Sequence, residues 1–370
     1  MIFASRVWLA RLSIAATAVV IACGLSETLL QLIDFPPTQT PHQRLFVEYD
    51  ETRGWRDIPN AQGRYTTDEY SIYLQYNSHG IRGSERPYAK PGGTIRIVVV
   101  GDSFVEGYSV EEAARVTEVL EKSLAAKLSR PVEVIALGTA GYSTDQELLW
   151  LESEGLKYQP DFVVLMFYYN DIWFNDQPSY WRGGKPLFVL DGESLKSTNV
   201  PVPRKIFDES RDSVLPSNAD VGFAGLKTSK LVSRAVQNST WQGIAAKLGL
   251  IQLPPEQSIS ARYNVPVLHE LTVYQKDATP EIDHAWETTR ALLKRLKLDS
   301  ENSGAGFLIF YVPSKMDIYP ENWKIFESNY GLDDKDWDAR QVARDLTDAC
   351  KKLALRVVFL PGLRESGLHH

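Results

Sequence analysis

Three short polar segments carry the residues in this sequence that could do chemistry. Gly101-Asp102-Ser103-Phe104, Gly138-Thr139-Ala140-Gly141-Tyr142 and Asn170-Asp171 each follow an apolar run. A serine hydroxyl can attack an ester carbonyl, while backbone N–H groups and an asparagine amide can donate hydrogen bonds to the developing oxyanion. Ordinary turn and capping chemistry explains each segment when it is taken alone. The three segments in this order favour an acyl-transfer site.

The apolar runs before these segments predict the strands that must position them. They are Ile95 to Val100, Val132 to Leu137 and Phe162 to Tyr168, and they are typical of strands buried on both faces of a parallel sheet. Apolar residues at three- and four-residue spacing between Val116 and Leu128 predict a helix, as do residues 145–157. Alternating strands and helices indicate an α/β fold with a doubly wound parallel sheet, whose carboxyl edge binds ligands.

The alternation stops over residues 175–275, which we interpret as an insertion that could form a lid or specify the substrate. Within it we expect a hairpin turning at Asp191-Gly192 and a helix around Lys230 to Leu248. The α/β pattern then resumes with a helix from His284 to Leu298, a strand from Phe307 to Val312, a helix over 337–354 and a strand from Arg356 to Leu360.

The amino-terminal segment from Leu12 to Ile33 is long and apolar enough for a transmembrane helix. Arg6 and Arg11 precede it and no lysine or arginine follows until Arg44, so the positive-inside rule predicts that everything after residue 34 lies outside the cytoplasm. A cleaved signal peptide, a lipoprotein signal ending at Cys23 and a buried core helix remain alternatives. The predicted organisation is a cytoplasmic tip and anchor over 1–34, an extended arm with strands over 35–92, and an α/β domain over 93–370.

Composition excludes several classes of protein. The chain has 370 residues and a net charge of −7 with no basic stripe, which argues against nucleic-acid binding. Its two cysteines cannot form a disulfide framework or a zinc site. The sequence contains no G-x-S-x-G elbow, no phosphate-binding P-loop and no H-E-x-x-H motif, and its glycines do not complete a dinucleotide fingerprint.

Longer segments resemble the SGNH (GDSL-type) hydrolase superfamily, and in particular its membrane-anchored bacterial branch. The resemblance covers Gly54-Trp55-Arg56, Asn77 to Gly83, RIVVVGDSFVEG at 96–107, ALGTAGYSTDQEL at 136–148 and PDFVVLMFYYND at 160–171. It implies a three-layer α/β/α, flavodoxin-like sandwich that needs no metal or organic cofactor. It also implies that Ser103 is the nucleophile and that its N–H, the N–H of Gly141 and the side chain of Asn170 form the oxyanion hole. Tyr168 stands where the family has a glycine.

The family's fourth block, an Asp-x-x-His that supplies the base, does not occur in these 370 residues. The six histidines are His42, His79, His269, His284, His369 and His370. Three alternatives stay open: the catalytic Asp and His lie beyond residue 370, the chain ends at His370 and the domain has no such base, or His369 or His370 serves as an unorthodox base.

Together these observations predict a serine ester hydrolase of the cell envelope that removes acyl groups, such as acetyl, from a glycan or a similar ester. Acyl transfer to a sugar hydroxyl is a related alternative, and a non-catalytic envelope binding module is an alternative from a different class. The expected partners are an ester substrate and, through the amino-terminal helix, a membrane.

Overall fold

The computed structural model describes residues 2–33, 35, 46–67, 69–180, 182–192, 194–204, 227 and 269–360, with side chains from residue 11 onward. The predicted helix around 230–248 and most of the predicted insertion lie outside the described residues. His42, His369 and His370 also lie outside them.

The amino-terminal helix α1 spans Ile2–Leu32. Its segment Arg11–Leu32 is 22 residues long, apolar and unburied. At about 1.5 Å per residue this length matches the ~30 Å hydrocarbon core of a bilayer. By length and composition it is the one helix in the described part of the chain that could cross a membrane, and a signal sequence has the same properties. The prediction of an apolar amino-terminal helix is confirmed.

Two small strand pairs follow in the predicted arm. Strand β1, Val47–Asp50, pairs antiparallel with β2, Gly54–Asp57. Strand β3, Gln62–Thr66, pairs with β4, Ser71–Gln75. In β4 the side chains of Ile72 and Leu74 are buried while their neighbours are exposed, which is the alternation expected of a strand with one covered face.

Five parallel strands form the central sheet. They are β5 (Ile95–Gly101), β6 (Val132–Gly138), β7 (Phe162–Phe167), β12 (Gly306–Tyr311) and β13 (Val357–Val358). Their order in the sheet is β13-β12-β7-β5-β6. Strand β5 therefore lies between β6 and β7, so the three segments that follow these strands emerge beside one another at one edge of the sheet.

Helices cover both faces of this sheet. They are α2 (Ser103–Glu106), α3 (Val116–Leu128), α4 (Thr144–Ser153), α5 (Asn170–Phe174), α6 (Pro280–Asn302), α7 (Lys315–Ile318), α8 (Pro320–Tyr330) and α9 (Gln341–Lys352). Val98 and Val100 of β5 join a large core cluster that includes residues of α4, α6 and α9. Ile97 and Val99 point the other way, into a smaller cluster beside Leu120 and Leu124 of α3. The α/β/α prediction is confirmed.

The face that carries the smaller cluster is only partly covered by described residues. Helix α3 packs on β6, whereas Val164, Leu308 and Phe310 line an open apolar groove of about 430 Å³. Phe162, at the same groove, is 45% exposed.

Short strands and helices fill the region after β7. Strands β8 (Ser179–Tyr180) and β9 (Gly183–Gly184) pair antiparallel, as do β10 (Leu187–Asp191) and β11 (Ser194–Thr198). The second pair confirms the predicted hairpin at Asp191-Gly192. A 3₁₀ helix over His269–Tyr274 leads into α6. Helices α7 and α8 were not predicted, and the helix expected over 337–354 is shorter, at Gln341–Lys352.

Candidate active site

The turn between β5 and α2 determines where Ser103 lies. Strand β5 ends at Gly101, and the Asp102 side chain caps α2 by accepting a hydrogen bond from the Phe104 N–H at 2.9 Å. The helix ends after one turn at Gly107, which has a left-handed φ of 65°. Ser103 therefore occupies the first position of a short helix at the carboxyl edge of the sheet, where it is half-buried.

Gly138 allows the end of β6 to approach α2 closely. A Cβ atom at this position would lie 2.2 Å from the backbone nitrogen of Glu106 and 2.6 Å from the carbonyl carbon of Val105. Real side chains do not tolerate such distances to backbone atoms, so any larger residue would push α2 away from the sheet. Gly138 thus has a steric role in placing Ser103, separate from hydrogen bonding to a substrate.

Replacing Gly138 with alanine is expected to lower the free energy of unfolding by about 1–3 kcal/mol, the usual cost of overpacking. The measurement is urea denaturation of the full chain. Gly92→Ala is the matched control, because a Cβ atom there meets nothing within 4 Å. Equal unfolding midpoints for the two variants would show that α2 moves away without cost.

The loop after β6 is held by Glu106 of α2. The Ala140 N–H donates to Glu106 Oε2 at 2.7 Å, and the Tyr76 hydroxyl donates to Glu106 Oε1 at 2.6 Å. The Trp55 indole N–H donates to the Ala140 carbonyl oxygen at 3.1 Å. Gly141 follows with a left-handed φ of 82°, a conformation that favours glycine. One buried carboxylate therefore ties the helix that carries Ser103 to the loop that carries Gly141.

Arg82 fixes the other end of α2. Its guanidinium donates to the carbonyl oxygens of Glu106 at 3.1 Å and Val110 at 2.7 Å, and also to that of Gly107. Arg82 is 2% exposed. Together with Trp55 and Tyr76, it shows that the arm before the sheet supports the site.

Asn170 begins α5 directly after β7. Its side chain lies near the hydroxyl of Tyr180. Its Oδ1 atom is buried and has no hydrogen-bond partner among the described residues. The following residue, Asp171, accepts hydrogen bonds from the Tyr168 N–H and the Thr144 hydroxyl, and these contacts hold the first turn of α5 against α4.

Ser103, Gly141 and Asn170 line one pocket of about 260 Å³. The structure thus brings together the three residues selected from the sequence. The pocket also contains residues to which the sequence alone gave no catalytic role. They are Asp102, Tyr108, Ala140, Tyr168, Tyr169, Tyr180 and Glu270.

Several carboxyl groups are buried beneath this pocket. Burial raises the pKa of Asp102 to about 7. It also raises the pKa of Asp171 and Glu147 well above the usual range, and the neighbouring acids add to the effect. Neither Glu147 oxygen has a hydrogen-bond partner among the described residues. Burial therefore favours the protonated form of Asp171 and Glu147, which reduces the negative charge near a developing oxyanion.

A buried ion pair connects α4 to the segment between β9 and β10. Lys185 Nζ donates to Asp145, and both side chains are fully buried. The same ammonium donates to the carbonyl oxygen of Phe174 at 2.7 Å, at the end of α5. Burial raises the pKa of Asp145 and lowers that of Lys185, because each charge loses its hydration.

None of the described histidines lines the pocket. His79 lies 3.3 Å from Glu154, and His284 is exposed and hydrogen-bonded to Asp176 at 2.9 Å. His269 stacks on Trp173 with ring centroids 5.2 Å apart. In the described residues, no group of three or more His, Cys, Asp or Glu side chains could hold a metal ion.

A parallel sheet with a serine and an asparagine at its carboxyl edge defines an α/β domain with a candidate acyl-transfer pocket. Residues 99–238 match the model of the GDSL-like Lipase/Acylhydrolase family. This part of the chain is therefore similar to GDSL-like lipase/acylhydrolase domains.

Two solved structures are similar to this chain at low identity. The lipase/acylhydrolase from Enterococcus faecalis has 13% identity and a TM-score of 0.31, with 73% of this chain and 82% of that chain covered. LAE5, an alpha/beta hydrolase enzyme from the metagenome of Lake Arreo, Spain, has 12% identity and a TM-score of 0.29, with 76% and 84% covered. No curated protein sequence matches this chain.

Proposed function

We propose that this protein is a serine ester hydrolase in which Ser103 is the nucleophile. The observation that carries the proposal is the convergence of Ser103, Gly141 and Asn170 on one pocket, where they follow three adjacent strands. The match to a lipase/acylhydrolase family supports the same reaction class.

In the proposed mechanism the Ser103 oxygen attacks the carbonyl carbon of the ester, and the carbonyl π electrons move onto oxygen. The N–H groups of Ser103 and Gly141 and the side-chain amide of Asn170 donate hydrogen bonds to this oxyanion. Collapse of the tetrahedral intermediate breaks the ester C–O bond, releases the alcohol and leaves an acyl group on Ser103. Water then attacks the acyl-serine by the same route and releases the carboxylic acid.

The proton of Ser103 must pass to a base and then to the departing alcohol. The resemblance assigns this step to an Asp-x-x-His pair, and none of the described histidines lies in the pocket. We therefore assign the nucleophile and the oxyanion donors to this chain's described residues and assign the base to none of them.

We further propose that the substrate is an acylated, for example acetylated, glycan or a similar ester outside the cytoplasm. The apolar helix α1 and the arginines at positions 6 and 11 support export with an amino-terminal anchor. The ester itself is supported by the family match.

The reaction is tested with the full chain in detergent. An activated acetyl ester should release its chromophore, with a rapid first turnover if deacylation is slower than acylation. An O-acetylated glycan should release acetate. Failure to turn over either ester would contradict the proposal.

Two alternatives are distinguished by the same assay. Acyl transfer predicts that an added glycan acquires the acetyl group in place of water. A non-catalytic binding module is favoured by the lack of a described histidine in the pocket, and it predicts glycan binding without any acetate release.

If α1 anchors the chain, alkaline carbonate should leave the full-length protein in the membrane fraction, and detergent should be needed to extract it. The physical reason is that the largely apolar, 22-residue segment Arg11–Leu32 leaves the lipid only when detergent supplies another apolar phase. Release by high salt or carbonate would contradict the anchor. An intact mass that lacks the first twenty or so residues would indicate a cleaved signal sequence instead.

A further inference from the structure

Glu270, Tyr169 and Tyr180 line the same pocket as Ser103. Glu270 belongs to the 3₁₀ helix His269–Tyr274. Leu271, Val273 and Tyr274 of this helix are buried in the core. Tyr274 also contacts Tyr169, with ring centroids 5.4 Å apart. The Glu270 backbone is therefore fixed beside α5, the helix that carries Asn170.

No described residue supplies a positive charge to the carboxylate of Glu270. It is half-buried, and no hydrogen bond or ion pair joins it to another described residue. No described lysine, arginine or histidine lines the pocket. Burial alone accounts for the raised pKa of Glu270. Its charge also helps to raise the pKa of Tyr169 and Tyr180, which places it close to both phenols.

A partly desolvated carboxylate beside aromatic rings is complementary to a cation. The positive charge of the ligand offsets the cost of desolvating the carboxylate. The faces of aromatic rings also attract a positively charged nitrogen. A neutral ligand could supply hydrogen bonds to Glu270 but would leave its charge uncompensated. A pocket lined by these side chains should therefore favour a cationic ligand over an uncharged ligand of equal shape.

We propose that Glu270, with Tyr169 and Tyr180, selects esters whose alcohol part carries a positively charged nitrogen. The selection of an ester rests on the proposed function of Ser103, whereas the binding of the cation does not. Two kinds of molecule present this group: an amino sugar with a free primary ammonium, and an alcohol with a quaternary ammonium head.

The test measures binding of the free alcohols, so it does not depend on turnover. The full chain in detergent is titrated by calorimetry with two matched pairs. One pair is choline and the uncharged alcohol in which carbon replaces its nitrogen; the other is glucosamine and glucose. We expect the charged member of at least one pair to bind about tenfold more tightly, as a cation–aromatic contact with a carboxylate allows.

The contribution of Glu270 is measured with Glu270→Gln, which keeps the shape and removes the charge. The preference for the cation should fall to about twofold or less. Glu301→Gln, which removes an exposed charge on α6, is the control and should keep the preference. A preference in the choline pair identifies a quaternary head, and one in the glucosamine pair identifies an amino sugar.

Equal affinities for the charged and uncharged members of both pairs in the unaltered protein would overturn the proposal. An unchanged preference in Glu270→Gln would overturn the assignment to this residue. A clear preference in a protein that hydrolyses no ester would contradict the proposed function while supporting the cation site, so the two failures are distinguishable.

Discussion

Replacing Ser103 with alanine is expected to reduce kcat for ester hydrolysis by at least about a thousandfold. The substitution removes the oxygen that forms the acyl-enzyme, and the remaining oxyanion donors and binding contacts supply only residual catalysis. Hydrolysis of an activated acetyl ester by the full chain measures the effect. Ser103 is half-buried on a one-turn helix whose cap is Asp102, so the variant should keep its unfolding midpoint.

The matched control is Ser123→Ala. Ser123 is exposed on α3, away from the pocket residues, and its loss should leave kcat unchanged. Unchanged turnover in Ser103→Ala would exclude this residue as the nucleophile. A large fall in both variants would show that the assay reports general damage to the protein.

Replacing Lys185 with methionine is expected to lower the free energy of unfolding by about 3–5 kcal/mol. Both members of the Lys185–Asp145 pair are fully buried, so the substitution leaves Asp145 without its cation in a site closed to water. It also removes the donor to the Phe174 carbonyl at the end of α5. Urea denaturation followed by circular dichroism gives the free energy.

Lys335→Met is the control for this prediction. Lys335 forms an ion pair with Asp333 at 3.0 Å, but both side chains are largely exposed. Solvent screens such a pair, so its loss should leave the unfolding midpoint unchanged. Similar midpoints for Lys185→Met and the unaltered protein would contradict the view that this pair holds α4 and α5 together.

The central sheet could be predicted because its strands have a strong local signal. The runs that became β5, β6 and β7 are continuous and apolar, as burial on both faces requires. The polar residues at their carboxyl ends then had to meet at one edge. The boundaries moved by only a residue or two, since Gly101 and Gly138 extend the first two strands.

Helix α3 shows the limit of a periodic pattern. The spacing of its apolar residues correctly predicts the helix, but Val116 is 44% and Val119 48% exposed. The spacing of apolar residues indicates which of them share a face of the helix. How much of that face is buried depends on the packing of segments that are distant in the chain. Helices α7 and α8 were missed because short helices with several polar residues give little periodic signal.

The supports of the site could not be read from the sequence. Glu106 looks like a solvent-facing residue three positions after Ser103, yet it is fully buried and holds the Gly141 loop. Glu270 reaches the pocket from a segment 167 positions after Ser103. Both placements depend on contacts between residues far apart in the chain, for which local composition gives no signal.

Covalent labelling of the full chain with a fluorophosphonate, which reacts with activated serine nucleophiles, tests the role of Ser103 directly. We expect one adduct per chain, located by mass spectrometry on the peptide that contains Ser103 and lost in Ser103→Ala. Labelling at another serine, or no labelling of a folded protein, would contradict the claim that Ser103 is the nucleophile of an ester hydrolase.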